Sequence, residues 1–116
     1  MKFVNRKAPW ENSSKWSSTS IAILRDLGAN AVRLSHYQHP QQVYDLCDTE
    51  GLVAWAEIPM LAMPEGNEAV VKNACTQLKE LILQNRHHPS ICFWGVQNEI
   101  AMMGEHLAMY RHVREL

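Results

Sequence analysis

Short apolar runs alternate with amphipathic stretches along this chain, and that alternation limits the fold more than any other feature. Residues 2–5, 29–34, 52–56 and 91–96 read as strands, because they are short, rich in apolar side chains and bounded by turn residues. Between them the apolar positions fall at helical spacing. The sets are Ile21, Leu24 and Leu27; Val43, Tyr44, Leu46 and Cys47; and Val71, Ala74, Leu78, Leu81 and Ile82. Gly28 and Gly51 stand just past the first two helices, as C-terminal stops. Pro40 opens the second, where no backbone N–H is needed. A polar loop over 7–20, holding Trp10 and Trp16, precedes the first helix, with Ser17, Ser18 or Thr19 as the expected cap. The third helix is expected over about 68–84. A fourth follows Ile100, with Met103, Leu107, Tyr110 and Val113 on one face. Strand and helix in strict alternation imply an α/β fold with parallel strands and right-handed crossovers.

Composition narrows the class. A chain of 116 residues, 47% hydrophobic and 20% charged, can bury one core. With a net charge of −1 nothing argues for nucleic acid or an anionic membrane, and neither is expected as a partner. No apolar run approaches the ~20 residues of a membrane span. The first ten residues lack the apolar stretch of a secretory signal. Three cysteines, Cys47, Cys75 and Cys92, are an odd number without a CxxC pair, so no disulfide framework is expected. Cys92 is read as a core residue, and a cytoplasmic location is expected.

Polar residues gather where the strands end. Arg33 and His36 follow the second strand, Glu57 the third, and Gln97, Asn98 and Glu99 the fourth. If the strands are parallel, all lie on one rim, the rim where ligands bind in parallel α/β folds. Two carboxylates and an arginine facing one cleft suit general acid/base chemistry. The plainer reading of Asn98 and Glu99 is a cap on the following helix.

The segments GANAVRLSHYQHPQQVYDLCDTEGLVAWAEIP and NRHHPSICFWGVQNE resemble the catalytic barrel of glycoside hydrolase family 2. The likeness is read as greatest to the bacterial β-galactosidases, ahead of β-glucuronidases and β-mannosidases. It implies that residues 1–116 form the N-terminal half of a (β/α)8 TIM barrel, about its first four βα units, and that the reaction is retaining hydrolysis of a β-linked sugar. By the same resemblance Glu99 is the general acid/base and Asn98 the partner of the sugar 2-hydroxyl. Arg33 supports the nucleophile, His36 contacts the sugar and Glu57 is the third-strand acid that ligates magnesium in some relatives. The nucleophile itself belongs to a seventh strand beyond this chain.

Departures from the family pattern matter. Lys7 stands where family members carry a sugar-site histidine. Pro59 stands where magnesium-binding relatives have a histidine, so no metal and no cofactor are expected. His87 and His88, being adjacent, are expected to point apart, and His106 and His112 do not share a helix face. Trp10 and Trp16 are the candidates for stacking on a sugar, whereas Trp55 and Trp94 are read as core. The competing reading is a half-barrel without activity that self-associates through exposed sheet edges.

Overall fold

The computed structural model describes residues 3–5, 13–61, 67–99, 111 and 113–115. Among the described residues the elements run in order β1 (Phe3–Asn5), α1 (Ser13–Asp26), β2 (Ala31–Leu34), α2 (Gln41–Glu50), β3 (Val53–Glu57), α3 (Glu68–Asn85) and β4 (Ile91–Gly95). The strands form one sheet in the order β1-β2-β3-β4, every pairing parallel. This is the sheet order of successive βα units in a barrel.

The two faces of the sheet part by the period of two. Val32, Leu34, Ala54 and Ala56 are buried and form one core with Val43, Tyr44 and Cys47 of α2 and Ala74, Leu78, Leu81 and Ile82 of α3. Arg33, Trp55 and Glu57 alternate with them and share the opposite face, where Trp55 stacks on Phe93 with ring centroids 5.7 Å apart. Each fully buried Val, Leu or Ile of this core contributes roughly 1.5–3 kcal/mol, so the sheet is held mainly by its helical side.

Local chemistry sets the ends of the helices. Gly28 and Gly51 have φ of 64° and 66°, the left-handed region that other residues enter at a cost. The Asn67 side chain accepts the Val70 N–H at 3.2 Å and starts α3. The expected cap at Ser17–Thr19 is displaced: α1 begins at Ser13, so these residues lie inside it. Trp16 is therefore helical, not part of a loop, and Trp10 lies outside the described residues. Of the expected fourth helix, Val113 packs partly on the core, while Met103, Leu107 and Tyr110 lie outside the described residues.

A polar joint fixes where β4 begins. Asp48 of α2 accepts the Ser90 N–H at 2.9 Å through Oδ1 and meets His88 Nδ1 at 2.6 Å through Oδ2. His88 Nε2 lies 3.1 Å from Gln41 Oε1, Gln41 Nε2 donates to Asn85 Oδ1 at 2.6 Å, and Asn85 Nδ2 donates to the Leu81 carbonyl at 2.8 Å. The chain of bonds ties α2 to the turn before β4, which carries the far end of β4 to the rim. His87 and His88 do not point apart, since their rings lie 4.2 Å apart in that turn. Asp45, Asp48 and His88 gather ligand atoms within 4.8 Å, but both ring nitrogens of His88 already have partners in the joint. Cys92 is also corrected: it is exposed, because β4 is the last strand of the described sheet.

Candidate active site

Arg33 leaves β2 on the face shared with Trp55 and Glu57. Its Nε donates to Glu57 Oε2 at 2.8 Å, and one terminal nitrogen donates to Glu57 Oε1 at 3.1 Å. This forked pairing is the strong geometry for guanidinium and carboxylate. Glu57 is 1% exposed, so its charge needs these donors. His36 adds another, with Nδ1 at 2.8 Å from Oε1. A carboxylate only accepts, so the hydrogen sits on Nδ1 and His36 keeps Nε2 for a different partner. Beneath the guanidinium lies the Trp55 ring, 5.7 Å from it.

The loop after β4 joins this set. The nitrogen of Arg33 that meets Glu57 Oε1 also donates to Asn98 Oδ1 at 2.6 Å. The Asn98 backbone N–H donates to the Met60 carbonyl at 2.9 Å, clipping the loop after β4 to the loop after β3. Behind the rim, His39 is buried, with Nε2 at 3.3 Å from the Ser35 carbonyl and its backbone N–H donating to the Tyr44 hydroxyl at 3.1 Å. Burial lowers the His39 imidazole below its ordinary value, against the opposing pull of the Ser35 carbonyl and the Glu57 charge. Burial likewise raises the Tyr44 hydroxyl.

Four of the five residues singled out in the sequence, Arg33, His36, Glu57 and Asn98, thus meet through direct hydrogen bonds. Glu99 does not enter their network. It follows Asn98 with φ of 53° and an exposed side chain, and among the described residues its carboxylate has no ion-pair partner. Of Arg33, Glu57 and Glu99, expected on one rim, the first two are joined directly, and Arg33 also holds Asn98.

Two contributors went unread in the sequence. Gly95 sits beside Glu57 in the β3–β4 register, and a Cβ there would lie 2.6 Å from the Glu57 Cβ and closer still to the Trp55 indole nitrogen. A glycine inside a strand pattern is the signal of such an approach. The Met60 carbonyl left no signal, because a backbone acceptor is the same in every residue.

A parallel sheet of βα units in chain order, with a polar set on its C-terminal rim, is the architecture of part of an α/β barrel. A family profile described as glycosyl hydrolases family 2, TIM barrel domain, matches residues 14–116, and the chain belongs to that family. It is 42% identical over 104 residues to a β-glucuronidase of Bacteroides fragilis, covering 83% of this chain and 14% of that protein. Among solved structures, an FMN-binding β-glucuronidase from Facaelibacterium prausnitzii superposes with a TM-score of 0.81 and 33% identity, over 97% of this chain and 18% of that one. A β-galacturonidase from Eisenbergiella tayi superposes with a TM-score of 0.85, over 97% of this chain and 22% of that one, and at 24% identity it shows the shared fold. The chain thus spans about a seventh of the length of the curated relative it matches. Other curated proteins that the chain matches also carry the name β-glucuronidase.

Proposed function

We propose that this chain supplies the acid/base side of a retaining β-glycosidase site that acts on β-glucuronides. The observation that carries the reading is the hydrogen-bonded set of Arg33, Glu57 and Asn98 at the strand ends, with Glu99 next in the chain. The names of the relatives support the sugar class.

In this reading Glu99 protonates the departing oxygen and later takes a proton from the attacking water. A second carboxylate, about 5–5.5 Å away on the rest of the barrel, attacks the anomeric carbon. Glu57 is not that group. Both of its oxygens are held by Arg33, and one also by His36, so it fixes its neighbours and transfers no proton. The same engagement, with Pro59 offering no ligand, leaves these residues unsuited to magnesium. No step is assigned to a metal.

Glu99→Gln, placed in a complete barrel containing this chain, tests the role. Hydrolysis of nitrophenyl β-glucuronide should fall far less than that of an alkyl β-glucuronide, because nitrophenoxide leaves without protonation and an alkoxide does not. Equal losses would remove Glu99 as proton donor. Faster turnover of nitrophenyl β-galactoside than of the glucuronide would return the sugar assignment to β-galactosidase.

A further inference from the structure

We infer that His88 stands in the joint between α2 and β4 as an imidazolium, with hydrogen on both ring nitrogens, and that its Nε2 proton sets the direction of a hydrogen-bond relay ending on α3. The joint is then a proton-operated latch, because taking that proton away reverses or parts the bonds along the relay. Neither statement depends on the glycosidase reading.

The direction of the relay is fixed at its far end. The Leu81 carbonyl can only accept, so the Asn85 atom 2.8 Å from it is the amide nitrogen. The Asn85 oxygen therefore faces Gln41, and the Gln41 atom 2.6 Å away is its nitrogen. That turns the Gln41 oxygen toward His88. The ring nitrogen 3.1 Å from it, Nε2, has to carry a hydrogen. On the other side of the ring, Nδ1 lies 2.6 Å from Asp48 Oδ2, and a hydrogen has to lie between these two as well. It belongs to Nδ1, because Asp48 keeps its charge at neutral pH. Its Oδ1 accepts the Ser90 N–H, and hydrogen bonds hold the carboxyl below its ordinary value. So short a spacing is that of a charge-assisted bond. It leaves no room for a metal ion, since two ligands each about 2.0–2.2 Å from one ion stand farther apart.

The surroundings suit a cation. The His88 side chain is 2% exposed, so its charge needs partners. Among the described residues that face it, α2 supplies two acids: Asp48, and Asp45 with Oδ1 4.0 Å from Nδ1. Tyr44 of α2 tilts its ring 5.4 Å away, and burial keeps that hydroxyl protonated. His87 of the same turn lies 4.2 Å away, ring to ring. α3 reaches His88 through Gln41 by the neutral Asn85.

Both acids lie on the Nδ1 side, so the hydrogen given up first is the one on Nε2. Its loss is not a local event. Two lone pairs then face each other across 3.1 Å. Gln41 relieves this by turning its amide over, which sets its oxygen against the Asn85 oxygen. Asn85 must then turn too, and its oxygen meets the Leu81 carbonyl. The mismatch is passed along the relay and ends only when α2 and the last turn of α3 part.

Neutron diffraction locates these hydrogens directly, with no substitution to disturb the fold. In deuterated crystals of a complete barrel containing this chain, at neutral pH, deuterium should appear on both Nδ1 and Nε2 of His88 and not on Asp48. One bare ring nitrogen, deuterium on Asp48, or a metal ion bound to His88 would overturn the inference. The same crystals brought to about pH 10 test the latch. Nε2 should lose its deuterium, and the Gln41 and Asn85 amides should either reverse or move out of hydrogen-bond reach of each other. Deuterium kept on both nitrogens, lost from Nδ1 instead, or lost from Nε2 while the bonds from Gln41 to Leu81 stay as they are would each refute it.

Discussion

Gly95 and Glu57 lie side by side in the register of β3 and β4, so closely that the strand has no room for a side chain at position 95. A Cβ would lie 2.6 Å from the Glu57 Cβ, an atom fixed to the backbone of its own strand. Gly95→Ala should therefore cost about 2–3 kcal/mol, roughly 10 °C in Tm, as overpacking of a rigid layer does. Calorimetry of the two forms checks it, and an unchanged Tm would show that the ladder can shift apart without loss.

Removing the Glu57 charge should be costly in a different way. Glu57→Gln preserves shape but leaves Arg33 with a neutral partner and sets an NH2 group against one of two donors. With the Arg33 side chain 25% exposed, solvent offsets part of the loss, and about 2–3 kcal/mol is expected. Urea titration measures it. Combining Glu57→Gln with Arg33→Met should be less destabilising than the sum of the single changes.

Acid should loosen the joint between α2 and β4. Burial alone raises the Asp48 carboxyl, but hydrogen bonds from Ser90 and His88 outweigh it and hold the group below its ordinary 3.8. The unfolded chain takes up the proton first as pH falls, so the contribution is whole above about pH 4 and is lost as pH drops through the folded value. The stability difference between wild type and Asp48→Asn should be constant from pH 7 to 5 and shrink below pH 4. A difference that stays constant down to pH 3 would dismiss the carboxylate's part in the joint.

The three thiols should react in order of burial. Cys47 is buried, and burial pushes its thiol up to about 12, so at neutral pH its thiolate fraction is on the order of one in 100,000. Burial also raises Cys75, whereas Cys92 is exposed. Maleimide at neutral pH should label Cys92 first and Cys47 only in denaturant. Peptide mapping of the labelled chain reads the order, and early modification of Cys47 would contradict its placement.

Much of this architecture was legible because local chemistry announces it. Pro40, Gly28 and Gly51 mark helix ends wherever they stand, and the strand-end positions of Arg33, His36, Glu57 and Asn98 placed them on one rim before any distance was known. The start of α1 was not legible. Serine and threonine read as caps from their propensity, yet they fill the first turns of α1, ahead of Ile21 and Leu24, which are buried in the core. The joint of Asp48 and His88 joins residues forty positions apart, and no spacing rule pairs them. Nor could a pattern of residue types show that Arg33 would hold Asn98 and leave Glu99 outside. That choice depends on how one backbone turns after β4.

That turn has an evolutionary edge. Glu99 sits at φ 53°, where an L-residue with a long side chain is held at about 1–2 kcal/mol above a relaxed conformation. Glycine or asparagine would rest there more easily, but neither carries a proton to give. On the role proposed for Glu99, stability and chemistry pull this position in opposite directions, so a lineage freed from the need to cleave glycosides should shed this glutamate early. Its persistence in a sequence is then a mark of selection for the reaction rather than for the fold.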